Sequence, residues 1–151
     1  MSQIETKERL IIGWDEFCDD VDALVLKIKK HERREKTKFM RVTAVTRGGL
    51  AASMMMSYAL DIYAVDTIAM AMVTATSAAI VKKNDQMRLI LDEVADTGAT
   101  ALTMRKYFPG AHLAAVYVKP EGAKAVDFFA RLVPHGTWIV FPWDKEARRR
   151  T

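Results

Sequence analysis

Leu89-Ile90-Leu91-Asp92-Glu93-Val94-Ala95-Asp96-Thr97-Gly98-Ala99-Thr100 is the stretch of this chain that carries most of its meaning. Three large apolar residues in a row have the length and character of a buried parallel strand. The apolar run stops at paired acids, Asp92 and Glu93, and Asp96-Thr97-Gly98 then leads into a helical stretch over residues 100–107 that closes at Pro109-Gly110. Ligands of open α/β sheets bind at the carboxyl ends of strands, and a helix N-terminus turns unpaired N–H groups and a positive dipole end toward a phosphate. Small hydroxyl residues and a glycine let backbone wrap a phosphate closely, whereas two carboxylates beside it would repel one. Those acids suit sugar hydroxyls, or an Mg²⁺ ion held by one or two carboxylates together with substrate oxygens. A sugar phosphate with a metal satisfies both halves of the motif.

The same strand, turn and helix pattern occurs upstream. Residues 41–46 are short and β-branched, break at Gly48-Gly49, and run into residues 50–60, where Ala, Met and Leu favour helix. Consecutive glycines admit an anion close to backbone N–H groups, and Arg47 adds a forked cation that matches phosphate oxygens. Before this, Trp14, Phe17, Val21, Leu24 and Ile28 recur at spacings of three and four, which predicts an amphipathic helix with Asp15 as its N-cap. The charged residues 31–38 are expected to end that helix in a surface loop. Residues 61–66 and 67–73 read as strand-like, residues 82–85 as a polar break, 113–118 as a strand, 126–132 as an element of undecided type and 137–141 as a late strand. Strands alternating with helices predict an α/β fold, a mainly parallel central sheet flanked by helices.

A length of 151 residues suits one domain, 1–151, and half the residues are apolar with 28% charged, as in an ordinary globular protein. One cysteine, Cys18, makes neither an intramolecular disulfide nor a structural zinc site. The polar N-terminus has no secretory pattern, and the longest uncharged stretch, residues 67–81, is too short to span a membrane. A cytoplasmic protein without a membrane partner is expected. The net charge of +4, with a pI near 9.2, suits an anionic partner, and Arg148, Arg149 and Arg150 read as a solvated tail.

The twelve residues from Leu89 to Thr100 fill every position of the signature of the type I phosphoribosyltransferase family, which the chain resembles. That resemblance implies that Asp96, Thr97, Gly98, Ala99 and Thr100 cradle the 5′-phosphate of phosphoribosyl pyrophosphate. It implies that Asp92 and Glu93 hold the ribose hydroxyls, directly or through Mg²⁺. Thr46, Arg47, Gly48 and Gly49 look like the pyrophosphate loop, in which the Thr46–Arg47 bond is commonly cis. Lys119, Trp138-Ile139 and Pro142-Trp143-Asp144, with Trp14-Asp15 near the start, are similar to the bacterial xanthine-guanine branch of the family. By that likeness Lys119 donates to the purine 6-oxo group, Trp138 stacks on the base, backbone at Ile139 reads the 2-substituent, and a small hood covers the base. An ammonium is only a donor, so it selects oxo over amino, and an indole face stacks on any purine.

The implied activity is Mg²⁺-dependent transfer of phosphoribosyl to guanine, xanthine or hypoxanthine in purine salvage, with Asp96 as proton acceptor, by a homodimer or homotetramer. The alternative is a regulatory protein that senses phosphoribosyl pyrophosphate and binds nucleic acid with little catalysis; the intact motifs weigh against it, so a nucleic-acid partner is not expected. Residues 71–76 lack the Ser-Tyr pair common in the family's mobile loop, and Val140 stands where near relatives carry a carboxylate.

Overall fold

The computed structural model describes residues 7–70 and 85–148. Its elements are β1 (Arg9–Ile11), α1 (Trp14–Glu35), β2 (Arg41–Thr46), α2 (Leu50–Leu60), β3 (Ala64–Ala69), β4 (Arg88–Ala95), α3 (Ala99–Tyr107), β5 (His112–Val118), α4 (Pro120–Ala123), β6 (Phe128–Leu132), β7 (Trp138–Val140) and α5 (Lys145–Arg148). Five strands form the central sheet in the order β3-β2-β4-β5-β6, and β1 with β7 makes a separate small sheet. Every pairing is parallel. This is the α/β architecture anticipated above, with the β1–β7 pair as its small accessory layer.

Two cores follow from the alternation of side chains along buried strands. Val42, Leu89 and Leu91 face α1 and α2, meeting Phe17, Val21, Leu24, Ile28, Ala52 and Met56. Val45 and Ile90 face the other side, where Ala101 and Met104 of α3 cover them. A strand buried on both sides reads as an unbroken apolar run, which is why Leu89-Ile90-Leu91 shows no alternation.

Several boundaries differ from the expectations. Helix α1 is capped at Gly13, without a side-chain cap bond, and Asp15 lies in its first turn. Nor does α1 end near Ile28: it runs to Glu35 and stops at Lys36 in the left-handed conformation. The charged turns stay helical because part of them is still packed. His31 stacks beside Phe39 and meets Phe128, and the Glu32 carboxylate accepts the Phe39 N–H at 2.8 Å. Trp14 sits outside the buried stripe, more than half exposed. Strand β3 bridges the two segments read separately as 61–66 and 67–73, while β4 continues through the acid pair to Ala95 because β5 pairs with it that far, Ala95 opposite Val118. The undecided stretch 126–132 supplies β6, and β1 was not anticipated at all: three residues gain strand structure only by pairing with β7. Residues 71–76, Lys82, Lys83, Arg149 and Arg150 lie outside the described residues. No described helix is long and apolar enough to cross a membrane.

Candidate active site

The chain moves from β2 outward to β3 on one side of β4, and from β4 outward through β5 to β6 on the other. The gap between β2 and β4 is therefore the point where strand order reverses, and ligands of such sheets bind at the carboxyl ends there. Pairing of β2 with β4 stops at Ala44–Leu91. Beyond it β2 turns into the Thr46–Gly49 loop while β4 carries on, which leaves Asp92 and Glu93 lining the opening rather than sealed in the sheet.

Strand alternation sends the two acids to opposite sides. Asp92 lines a cavity of about 130 Å³ shared with Asp96, Thr97, Gly98 and Thr100. Glu93 lines a larger one of about 630 Å³, with Arg47, Gly48, Trp14, Trp143 and Asp144. The Glu93 N–H donates to Asp92 Oδ1 at 2.9 Å. Burial, with the neighbouring Glu93 carboxyl second, pushes the Asp92 carboxyl well above the usual carboxylate range. The two adjacent carboxyl groups form an oxygen-donor pair, and a divalent cation held by them would favour the charged form of Asp92. They are the side chains here that fit Mg²⁺, which takes few protein ligands. Among the described residues no three His, Cys, Asp or Glu gather as a fuller metal cage.

The glycine loop is shaped by this pair. A Cβ on Gly48 would lie 2.0–2.2 Å from the Glu93 carboxylate, and one on Gly49 would lie 2.4 Å from the Leu91 carbonyl oxygen. At Gly49 the obstacles are backbone, so a side chain there needs the strand to move, whereas one at Gly48 would displace the Glu93 carboxylate from its seat. The Thr46–Arg47 peptide is cis, as the resemblance led one to expect. Thr46 Oγ1 donates to the Ile68 carbonyl at 3.2 Å, and the Gly49 N–H returns to the Val45 carbonyl at 2.9 Å.

On the other side of β4, Gly98 takes a φ of 85° as the cap of α3, and the Ala99 N–H donates to Thr97 Oγ1 at 3.2 Å, which holds the loop turned at the helix start. Asp96 and Thr97 are exposed at the mouth of the loop. Behind them stands α4, one turn of helix. The Gly122 N–H donates to the Asp96 carbonyl at 2.9 Å, and a Cβ on Gly122 would sit 1.9 Å from the Ala95 carbonyl oxygen. Gly122 thus fixes the height of the Asp96 peptide. The sequence reading passed over it; its only signal is a glycine inside a one-turn helix started by Pro120.

Lys119 ends β5, and its N–H bonds the Ala95 carbonyl at 2.9 Å, one residue before Asp96. Its ammonium is buried and donates to the Thr137 carbonyl at 2.5 Å, which joins it to the start of β7. There Trp138 is 53% exposed while Ile139 is buried. A large indole left open beside a buried ammonium is the reverse of ordinary packing, in which the aromatic would be covered and the lysine solvated. The structure therefore ties Lys119 to the start of β7, where Trp138 and Ile139 stand, and through its backbone to Ala95 beside the Asp96 loop; Ile139 itself packs in the core facing α1 and α2, while Arg47, Gly48 and Glu93 line the larger cavity. Phe141, Trp143 and Trp14 were not put forward as site residues, yet they wall the larger cavity; Phe141 stacks on Trp143 at 4.9 Å. Asp144 is held there by accepting the Phe141 N–H at 2.8 Å.

No protein-family model matches the chain. Over 144 residues it is 37% identical to a xanthine-guanine phosphoribosyltransferase of Nitratidesulfovibrio vulgaris, covering 91% of this chain and 85% of the relative. It is 35% identical to one of Desulfotalea psychrophila over 91% of this chain and 87% of that one. Among solved structures, a xanthine-guanine-hypoxanthine phosphoribosyltransferase of Helicobacter pylori superposes with a TM-score of 0.71 at 18% identity, covering 95% and 98% of the two chains. A purine phosphoribosyltransferase of Pyrococcus horikoshii superposes at 0.70 with 20% identity, covering 91% and 95%. The structural likenesses show a shared fold; the sequence identities go further, and on them the chain belongs to the xanthine-guanine phosphoribosyltransferase family of enzymes.

Proposed function

We propose that this enzyme transfers the phosphoribosyl group of phosphoribosyl pyrophosphate to guanine, xanthine or hypoxanthine, releasing pyrophosphate and forming the nucleoside monophosphate, and that it serves purine salvage in the cytoplasm. The observation that supports this best is the seating of the Glu93 carboxylate on Gly48. It sets the acid pair beside a glycine-arginine loop, on the strand that leads into a helix N-terminus, so that groups suited to a sugar and to phosphates adjoin one another.

In this reading Thr97, Gly98, Ala99 and Thr100, with the backbone of Asp96, receive the 5′-phosphate at the start of α3. Thr46, Arg47, Gly48 and Gly49 receive the pyrophosphate, Arg47 through its forked donors. Asp92 and Glu93 hold the ribose hydroxyls and Mg²⁺. The metal, when bound, supplies positive charge against the leaving group. The C1–oxygen bond to pyrophosphate breaks as a purine nitrogen bonds to C1, and Asp96 accepts the proton that leaves the purine near N7. Trp138 offers its open face for stacking. Lys119 spends one of its three donors on the Thr137 carbonyl, which aims another at the 6-oxo group, and backbone at Ile139 meets the 2-substituent.

The test is pyrophosphate release with guanine, xanthine, hypoxanthine and adenine in turn, each with and without a chelator of divalent ions. Turnover with at least one 6-oxopurine, lost on chelation and restored by Mg²⁺, is expected. No turnover with any of the four bases overturns the proposal.

A further inference from the structure

Residues 27–38 hold seven lysines and arginines and two glutamates, an excess of five positive charges, while the net charge of the entire chain is +4. Five arginines elsewhere are neutralised: Arg9, Arg41, Arg88, Arg105 and Arg131 each meet a carboxylate at 2.5–3.0 Å. Lys29, Arg33, Lys36 and Lys38 have no such partner among the described residues. All four line one open hollow of about 740 Å³. Its two acids do not cancel them: Glu32 is engaged by the Phe39 N–H at 2.8 Å, which leaves Asp61 alone. Arg33 and Arg34 already answer the dipole in the last turn of α1, and that accounts for neither Lys29 nor Lys38. The hollow lies where α1 and α2 end and where β2 and β4 begin, beside Met87. The Thr46–Gly49 loop stands at the other end of β2, ~20 Å away at ~3.3 Å per residue.

We propose that this hollow is a second anion site, separate from the Thr46–Gly49 loop, that takes a chain of linked phosphates, as in a condensed inorganic phosphate or the 5′-triphosphate of a nucleotide. Spacing sets the length of the ligand. Lys29 and Arg33 sit four apart on one face of α1, and Lys36 follows at its cap, a row of ~10 Å at ~1.5 Å per residue. That row outreaches a single orthophosphate and matches several phosphates in line. Arg33 offers them a planar fork and the lysines compact charges. Lys38, two residues past the cap, adds a fourth cation. The lining contains no aromatic side chain, so nothing in the hollow stacks on a base and recognition stops at the phosphates. The same lack disfavours a nucleic-acid strand, which single-strand sites hold by stacking. A concave site of this size suits a small molecule and not a flat anionic bilayer.

The proposal does not rest on the reaction and is tested without it, by calorimetric titration of the full chain with sodium tripolyphosphate, a chelator of divalent ions present and ionic strength at about 0.15 M. Binding is expected, and it is expected to persist in Arg47→Ala, which strips the forked cation from the other anion loop. Within that background Arg33→Glu and Lys38→Glu, both on exposed side chains, are each expected to weaken binding at least ~10-fold with unchanged circular dichroism. Lys106→Glu, the same charge reversal on an exposed residue of α3, is expected to stay within ~3-fold, because screening confines each charge to its surroundings. Orthophosphate is expected to bind at least ~10-fold more weakly than tripolyphosphate, and ATP and GTP to displace it equally well. No binding of tripolyphosphate, its loss in Arg47→Ala, or full retention by either reversal in the hollow overturns the proposal; should one of these two variants fail to fold, the other decides. So does a marked preference for one base, or capture of single-stranded RNA or of phosphatidylserine vesicles through Arg33 and Lys38 by a chain that ignores tripolyphosphate.

Discussion

Gly122→Ala is the substitution whose consequence the geometry specifies most closely. The added Cβ would lie 1.9 Å from the Ala95 carbonyl oxygen and 2.9 Å from that of Asp96, against an ordinary contact of 3.4 Å or more. About 1.5 Å of separation must be found between α4 and the end of β4. No side chain can swing aside, since both obstacles are backbone. Strand β4 is held by β5 through Ala95–Val118, and Lys119 pins the same carbonyl at 2.9 Å, so the movement falls on α4 and on the Asp96 peptide. Overpacking of this kind costs ~1–3 kcal/mol of stability, which leaves an ordinary domain folded. Catalysis is hit harder, because a displacement of ~1 Å in positioned groups costs on the order of 10²-fold in rate. The expected outcome is a folded variant with a modestly lower melting temperature and kcat/KM for guanine down ~10²-fold or more, measured by pyrophosphate release. Gly13→Ala, with nothing within 4 Å of the new Cβ, serves as the neutral comparison. A Gly122→Ala enzyme with wild-type kcat/KM refutes the argument that α4 sets the height of the Asp96 loop.

Asp96→Asn keeps shape and hydrogen-bonding atoms but removes the base, so turnover falls ~10²-fold or more while calorimetry still finds phosphoribosyl pyrophosphate bound; abolished binding would mark Asp96 as an anchor instead. With Lys119 aimed by the Thr137 carbonyl, adenine is disfavoured by ~10–100-fold, the scale of an unmade buried polar contact. Lys119→Met raises the guanine KM with little change in that for phosphoribosyl pyrophosphate, and an unchanged guanine KM rejects the base-site assignment. Burial among Phe39, Phe128 and His31 lowers the pKa of His112 below its ordinary value, and its Nδ1 has no partner among the described residues. The unfolded chain therefore takes up the proton first. Stability is full above ~6.5, the unfolded value, and falls as pH drops from there toward the folded value. Urea midpoints at about pH 7.5 and 5.5 should diverge for wild type and converge for His112→Phe; equal losses in both would show that His112 is not the group responsible.

Strands β2, β4 and β5 and helix α2 were legible in the chain because each owes its form to residues near in sequence: β-branched or apolar runs, then glycine or Asp-Thr-Gly where the backbone must turn. The same locality made the Thr46–Gly49 and Asp96–Thr100 loops readable, and paired acids following a strand announce themselves without any partner. Other features exist only through contacts distant in sequence. β1 is a strand because β7 lies beside it, and α1 outlasts its charged turns because Phe39 and Phe128 pack on them. Gly122 matters because α4 folds back on Ala95. The assignment of Asp92 to one cavity and Glu93 to the other needed the register of β4 between its neighbours. Sequence determines which groups a chain can offer, through propensities and spacings that act over a few residues. Which of them face a common opening is decided by packing between segments far apart along the chain, where no local signal is written.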